Sequence, residues 1–224
     1  MSIERVPDPV ASVRRAVDLP LRLADGSSVP ARMVTFHGLV DGREHLAIRL
    51  GAWASGERRA VGVPLVRLHS ECLTGDVLGS ARCDCGPQLQ EAVGRIAAAG
   101  GWLLYLRQEG RDIGLYNKVD AYALQDEGLD TYEANRALGF ADDARDYAVA
   151  VQMLTALGVT RLDLLSNNPD KADQLEAAGL RVERRVRTGL HVSEVNRDYL
   201  SAKARSGHVL HVPPSPSRAR DAGS

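Results

Sequence analysis

The three cysteines of this chain lie close together, at positions 72, 83 and 85, in the pattern C-x10-C-x-C. Any fold of this chain must bring Cys72 back beside Cys83 and Cys85 if the thiols act together. Three thiols in one short stretch of an otherwise cysteine-free chain indicate a soft-metal site, most simply zinc, with Zn–S bonds of about 2.3 Å. A disulfide is less favoured because the count is odd and Cys83 and Cys85 are too close to pair easily.

The fourth ligand of a tetrahedral zinc would decide what the site does. If His69 completes a Cys3His set, the site is structural. If water takes the position, the site is catalytic, because zinc lowers the pKa of bound water to about 7. The stretch around the cysteines has more polar residues than a structural zinc knuckle needs, which favours the catalytic interpretation: Arg67, His69, Ser70, Glu71, Thr74, Asp76 and Arg82.

Composition predicts one medium-sized globular domain. The chain has 224 residues, 44% of them hydrophobic and 25% charged, with a net charge of −1. This balance argues against a nucleic-acid-binding surface, and without a long apolar run or a signal-peptide core we expect no membrane association and a cytoplasmic location. We predict a flexible arm over residues 1–18, a single catalytic domain over 19–205 and a disordered tail over 206–224, which is rich in Gly, Pro, Ser and Arg.

Hydrophobic patterning predicts an α/β fold with a mixed central sheet flanked by helices and a hairpin-rich N-terminal part. Strands are predicted at Leu19–Leu23, Val29–Phe36, His45–Leu50, Ala60–Leu68, Trp102–Leu106, Leu162–Leu165 and Leu180–Val186. Helices are predicted at Pro87–Ala97, Ile113–Gln125, Thr131–Leu138, Ala144–Leu157 and Asp170–Ala178. Asp142 and Asp143 would cap the helix that begins at Ala144.

A nucleotide would need an unusual phosphate site, because the chain has neither a Walker loop nor a Rossmann glycine fingerprint. One candidate is the start of the helix after Asp143, where Arg145 would lie in the first turn. Another is Lys171, and Arg67 and Arg111 could add bidentate contacts. Each of these residues could equally be a solvated surface charge.

The motifs between about residues 64 and 171 resemble those of the GTP cyclohydrolase II family. The resemblance includes RLHSECLTGD from Arg67, RCDCG from Arg82, RQEGR from Arg107 and NNP with Lys171 near the end. Other matching segments are Asn117–Lys118, Ala121–Asp126, Asp130–Thr131, Glu133–Asn135, Leu138–Phe140, and Asp143 with Arg145.

The resemblance implies specific roles for these residues. Cys72, Cys83 and Cys85 would bind one zinc ion, and His69 would then contact substrate instead of metal. The implied substrate-binding residues are Arg67, Leu68, His69, Ser70, Glu71, Gln88, Glu109, Gly110, Arg111, Thr131, Ser166 and Lys171. The implied catalytic residues are Arg145 as nucleophile, Asp143 as its proton acceptor, and Tyr122 for proton transfer. Tyr122 could instead be a core residue, and Arg145 could act only by stabilising phosphoryl charge.

The implied reaction is the first step of riboflavin biosynthesis. Zinc would activate water for attack on C8 of GTP, formate and pyrophosphate would leave, and 2,5-diamino-6-(5-phosphoribosylamino)pyrimidin-4(3H)-one would form. We also expect magnesium on the triphosphate and a homodimer.

The sequence departs from the family pattern at Leu106, Asp112, Ser166 and Asp170, where histidine, asparagine, threonine and lysine are usual. Two alternatives therefore stay open. One is a specialised enzyme that stops at the formamidopyrimidine or takes a related nucleotide, and the other is a non-catalytic, zinc-stabilised nucleotide-binding module.

Overall fold

A computed structural model describes residues 10–23, 25–51, 54, 62–193, 195–196, 199–200 and 203–204. The predicted tail over 206–224 lies outside the described residues. The single catalytic domain over residues 19–205 stays a prediction. In the part of the chain described, no helix is long and apolar enough to cross a membrane.

The strands are β1 (Ser12–Asp18), β2 (Leu21–Arg22), β3 (Ser28–Val29), β4 (Ala31–His37), β5 (Leu46–Leu50), β6 (Leu65–Ser70), β7 (Gly101–Leu106), β8 (Arg161–Leu165) and β9 (Arg181–Val186). Over the described ranges, seven of them form one sheet in the order β1-β4-β5-β7-β6-β8-β9, and β2 pairs with β3. Neighbouring strands in the part β1-β4-β5-β7 of this sheet are antiparallel, and those in the part β7-β6-β8-β9 are parallel. The prediction of a mixed sheet with an N-terminal part of hairpins is confirmed.

The helices are α1 (Leu73–Asp76), α2 (Cys85–Ala99), α3 (Leu115–Asp126), α4 (Thr131–Ala137), α5 (Ala148–Ala156) and α6 (Pro169–Ala177). Their ends follow from local chemistry. Gly100, at φ 82°, ends α2, and Asp130 and Glu133 form a capping box at the start of α4. Asn168 accepts a hydrogen bond from the Asp170 N–H at 3.1 Å and so caps α6.

Helices cover both faces of the sheet. Helices α5 and α6 bury Met153, Leu154 and Leu175 against one face of β6, β7 and β8. Helix α2 buries Val93 and Ile96 against the other face. These two apolar layers fix the parallel strands between them, so the strand ends are held rigidly.

Several predicted boundaries are wrong. The strand predicted over Ala60–Leu68 is β6, which begins at Leu65, and residues 60 and 61 lie outside the described residues. Residues 12–18 form β1, paired with β4, instead of belonging to a flexible arm. Pro30, which has no N–H to donate, separates β3 from β4 where one strand was expected. Helix α5 begins at Ala148 and not at Ala144.

The error at α5 has a local cause. The Asp143 carboxylate accepts hydrogen bonds from the Arg145 side chain and so does not cap a helix. The Ala144 N–H donates to the Arg111 carbonyl at 3.3 Å. The Ala148 N–H donates to Asp146 Oδ1 at 2.7 Å, where α5 starts.

The carboxyl ends of three of the parallel strands, β6, β7 and β8, lead into predicted site segments. Cys72 follows β6, the Gln108–Arg111 loop follows β7, and Ser166 follows β8. Ligands of open α/β sheets bind in the crevice at this edge.

Candidate metal and substrate site

The three cysteine thiols come together at the end of β6. The Sγ atoms of Cys72, Cys83 and Cys85 lie within 4.8 Å of one another. Cys72 directly precedes α1, and Cys85 is the first residue of α2, so two helix starts position them. Three soft sulfur donors at this separation fit a zinc ion.

Two glycines allow this close approach. A Cβ on Gly75 would lie 2.6 Å from Sγ of Cys83 and 3.1 Å from Sγ of Cys72. A Cβ on Gly86 would lie 2.4 Å from the Gly75 carbonyl oxygen. Helix α1 therefore packs against the thiols only because position 75 carries no side chain.

The structure does not bring His69 into the cysteine group. Its Nε2 lies 3.1 Å from both carboxylate oxygens of Asp76. Asp76 also accepts hydrogen bonds from the Cys72 N–H at 3.0 Å and the Tyr105 hydroxyl at 2.8 Å. Of the His, Cys, Asp and Glu side chains in the described residues, the three cysteines form the only group close enough to hold a metal ion.

Lys118 supports negative charge on the thiols. Its Nζ lies 3.1 Å from Sγ of Cys72 and 2.6 Å from Oε1 of Glu109. Hydrogen bonds from Cys83 and Cys85, then this ammonium group, hold the pKa of the Cys72 thiol well below its ordinary value. The bond to Cys72 raises the pKa of Cys83 to about 11. Burial acts to lower the pKa of Lys118, but its bond to Glu109 and its interactions with Cys72 and Tyr122 together outweigh burial and raise the pKa.

A cavity opens beside the thiols, and most predicted site residues line it. These are Arg67, His69, Ser70, Glu71, Cys72, Cys83, Cys85, Gln88, Glu109, Gly110, Arg111, Tyr122, Thr131, Arg145, Ser166 and Lys171. Leu68 is instead fully buried in the core, where its carbonyl oxygen accepts from Lys171 Nζ at 2.6 Å. Asp143 does not line the cavity, but it forms an ion pair with Arg145, which does.

Asp143 and Arg145 form an ion pair in the non-helical segment before α5. Nε of Arg145 donates to Oδ1 of Asp143 at 2.8 Å, and Nη2 donates to Oδ2. Nη1 lies 3.4 Å from the Ser70 hydroxyl, at the end of β6. Burial acts to lower the pKa of Arg145, but the bond to Asp143, the charge of Asp143 and the nearby Tyr147 and Tyr199 together outweigh burial and raise the pKa above its ordinary value. The predicted phosphate cradle at a helix start here is wrong, because no helix begins at Asp143.

Lys171 and Arg67 are buried basic side chains that line the same cavity. Their exposed fractions are only 5% and 7%. Burial lowers the pKa of Lys171 far below its ordinary value, and the charges of Arg67 and Arg145 add to this. Burial likewise lowers the pKa of Arg67, whose Nη2 donates to Oε1 of Gln88 at 2.7 Å. A polyanion entering the cavity would relieve this repulsion.

The loop after β7 has an unusual backbone. Gly110, Arg111 and Asp112 all have positive φ, at 62°, 62° and 75°. The Arg111 guanidinium lies 4.1 Å from the centroid of the Tyr132 ring, and its Nη1 donates to the Asp142 carbonyl at 3.2 Å. Such conformations cost energy in non-glycine residues and cluster at ligand sites.

One face of α3 also borders the thiols. Tyr122 lies on this face, with its hydroxyl 3.3 Å from Oγ1 of Thr74, and the Arg82 guanidinium stands 4.9 Å from its ring centroid. Residues 118, 121, 122 and 125 all line the cavity. This i, i+3, i+4, i+7 spacing around Tyr122 was the sequence signal that could have identified Lys118. The prediction also missed Arg82, Gln108, Asn135, Thr188, Tyr199 and Lys203, which line the same cavity.

Comparisons with known proteins identify the family of this chain. The family model for GTP cyclohydrolase II matches residues 15–187. The chain is 47% identical over 202 residues to GTP cyclohydrolase-2 of Aliivibrio fischeri (strain ATCC 700601 / ES114), covering 90% of this chain and 98% of that protein. It is 48% identical over 204 residues to GTP cyclohydrolase-2 of Vibrio cholerae serotype O1, covering 91% of this chain and 100% of that protein.

A third relative is longer than this chain. The riboflavin biosynthesis protein RibBA of Bacillus subtilis is 50% identical over 201 residues, which cover 89% of this chain and 49% of that protein. The family match spans most of this chain and contains all three cysteines, Tyr122, Asp143 and Arg145. The chain therefore belongs to the GTP cyclohydrolase II family.

Proposed function

We propose that this protein is a zinc-dependent hydrolase that opens the imidazole ring of GTP and releases formate and pyrophosphate, in riboflavin biosynthesis. The observation that carries the proposal is the location of the three thiols in one cavity with Arg67, Arg145 and Lys171. A soft-metal site serves the ring chemistry, and the cations suit a triphosphate. The names of the close relatives support the same activity.

Cys72, Cys83 and Cys85 would hold the zinc ion. When bound, zinc supplies a Lewis acid and an activated water for attack on an amidine-like carbon such as guanine C8. The Lys118 ammonium, 3.1 Å from Sγ of Cys72, offsets part of the thiolate charge. In this proposal His69 keeps its hydrogen bond to Asp76 and does not bind the metal.

Tyr122 would move the proton needed for ring opening. Burial raises the pKa of its phenol above the ordinary value, although the Thr74 hydroxyl opposes this. The hydroxyl is therefore protonated at neutral pH and can donate to a ring nitrogen.

Arg145 would stabilise charge on the phosphates. Its paired guanidinium stays protonated, because the ion pair with Asp143 raises its pKa. A protonated guanidinium is a poor nucleophile but a good partner for phosphoryl oxygens. We therefore favour charge stabilisation, and covalent attack by Arg145 stays an alternative for which Asp143 would accept the proton.

The departures from the family pattern leave the cavity intact. Asp112 is ion-paired with Arg43, and Oδ2 of Asp170 accepts from Gln174 at 2.9 Å. Neither carboxylate nor Leu106 lines the cavity, and Ser166, which does, keeps a hydroxyl. This favours the full reaction over a specialised variant. Magnesium on the triphosphate and a homodimer are further parts of the proposal that rest on the family resemblance. A cytoplasmic location, expected from the sequence, is also part of it.

The test is to incubate the purified protein with GTP, zinc and magnesium and to measure formate, pyrophosphate and the nucleotide product. We expect formate and pyrophosphate in equal amounts, and loss of formate in Cys83→Ser. A product that keeps the formyl group would favour the specialised enzyme. Nucleotide binding without turnover would favour the non-catalytic module.

A further inference from the structure

Three side chains that line the cavity come from beyond the segment matched by the family model: Thr188, Tyr199 and Lys203. The match ends at residue 187, whereas Tyr199 and Lys203 reach the cavity from the C-terminal side. The segment is anchored, because Leu200 is fully buried and its N–H donates to the Asn196 carbonyl at 3.0 Å. These residues are therefore placed to act on the site.

Lys203 is bound to the turn that carries two of the metal ligands. Its Nζ lies 2.8 Å from Oδ1 of Asp84, the residue between Cys83 and Cys85. The Asp84 side chain is 0% exposed and that of Lys203 is 13% exposed. A carboxylate buried this completely is stable only with a paired charge and hydrogen bonds.

Asp84 also contacts Gln88, on the substrate side of the cavity. Its other oxygen, Oδ2, accepts a hydrogen bond from the Gln88 amide. Oε1 of Gln88 accepts from Nη2 of Arg67 at 2.7 Å, and Nη1 of Arg67 donates to the Leu165 carbonyl at 3.1 Å. A chain of polar contacts thus runs from Lys203 to Arg67.

We propose that Lys203 is a positioning residue that orients the Cys83-Asp84-Cys85 turn for metal binding by holding the Asp84 carboxylate. The inference rests on the proposed zinc site. Residues that fix the orientation of metal ligands commonly change metal affinity about 10- to 100-fold when they are replaced. Because the contact also reaches Gln88 and Arg67, the same ammonium group sets the position of a substrate-side cation.

The test compares Lys203→Met, Lys203→Arg and the control Arg185→Met in the full chain. Arg185 is exposed on β9 and lies outside the cavity lining. Cobalt(II) replaces zinc, so that the sulfur-to-cobalt charge-transfer and d–d bands report ligand geometry, and zinc affinity is measured by chelator competition. We expect Lys203→Met to shift the cobalt bands and to weaken zinc binding about 10-fold or more. Lys203→Arg should restore both, and Arg185→Met should match the parent protein.

An Asp84→Asn background shows whether Lys203 acts through Asp84. There we expect Lys203→Met to have no further effect on the cobalt spectrum. Comparing Asp84→Asn with Asp84→Asn/Lys203→Met also keeps the proposal testable if Lys203→Met alone fails to fold, because neither of these two variants has an unpaired Asp84 carboxylate. Different spectra within the pair would overturn the proposal.

Two other outcomes would also overturn it. An unchanged cobalt spectrum in Lys203→Met, with a raised KM for GTP, would make Lys203 a substrate contact. A parent protein that binds neither zinc nor cobalt would remove the proposed function itself, and this inference with it. The first outcome leaves the proposed function standing, so the two failures are distinguishable.

Discussion

Arg145 and Asp143 face each other as a doubly hydrogen-bonded ion pair, although only one residue separates them. Side chains at i and i+2 do not face each other on a helix. Here the segment is not helical, and the Arg145 N–H also donates to Oδ1 of Asp143 at 3.2 Å. The pair can therefore exist only because α5 begins later, at Ala148. Nη1 of Arg145 lies 3.4 Å from the Ser70 hydroxyl, so the segment before α5 holds the guanidinium over the end of β6.

We predict that Arg145→Lys keeps measurable pyrophosphate release, whereas Arg145→Ala loses roughly 1,000-fold or more, as when an arginine finger is removed. The reason is that lysine keeps the positive charge and loses only the paired geometry. Rates of pyrophosphate release from GTP would be compared between the two variants. If Arg145→Lys were as inactive as Arg145→Ala and the parent enzyme formed a phosphoramide adduct, the nucleophilic role would be correct instead.

We predict that Lys171→Met stabilises the protein while it weakens nucleotide binding. Lys171 is 5% exposed, and burial, then Arg67 and Arg145, lowers its pKa well below the ordinary range. Because the folded-state pKa is below the unfolded one, the charged form costs stability. That cost is complete below the folded-state pKa and disappears as pH rises through the unfolded value, about 10.4.

Denaturant unfolding across pH would measure this effect. At neutral pH we expect Lys171→Met to gain on the order of 1 kcal/mol, a typical value when a functional site is relieved of strain. The gain should shrink at high pH. Binding of a non-hydrolysable GTP analogue should weaken at least tenfold, and unchanged binding would rule out a phosphate role for Lys171.

We predict that Gly75→Ala abolishes metal binding although it leaves every ligand in place. Its new Cβ would lie 2.6 Å from Sγ of Cys83, so the thiols must separate. Gly94→Ala is the matched control, because a Cβ at Gly94, inside α2, meets no atom within 4 Å. Zinc content by mass spectrometry should fall only in Gly75→Ala, and Gly94→Ala should gain up to about 1 kcal/mol of stability. Full zinc content in Gly75→Ala would show that the thiol cluster accommodates a Cβ at position 75 and would contradict this prediction.

We predict that Tyr122→Phe slows formate release by about 100-fold or more, the usual contribution of a positioned acid. The control is Tyr116→Phe, which lies on the same helix but is 84% exposed. Zinc content should stay normal in both variants, because phenylalanine keeps the ring against Arg82. Parent-like formate release in Tyr122→Phe would make this residue part of the packing alone.

Much of the core could be predicted because its patterns are local. The apolar runs at 102–106 and 162–165 became β7 and β8, and the helix predicted at Pro87–Ala97 became α2, which ends before Gly100. The start of α5 could not be predicted, because two interpretations of Asp143 compete: a cap for its own helix or a partner for Arg145. Strand β1 was missed since its side chains are mostly exposed and give no period-two pattern.

The sequence by itself determined the family, the cysteine pattern and most of the residues that line the cavity, because each of these is carried by residue type and spacing. Only the tertiary structure decided that His69 pairs with Asp76, that Lys118 contacts the Cys72 thiol, and that Lys203 holds Asp84. Lys203 and Asp84 are separated by 119 positions. Contacts of this kind depend on which strand ends and helices the packed core brings together, and spacing along the chain does not record that.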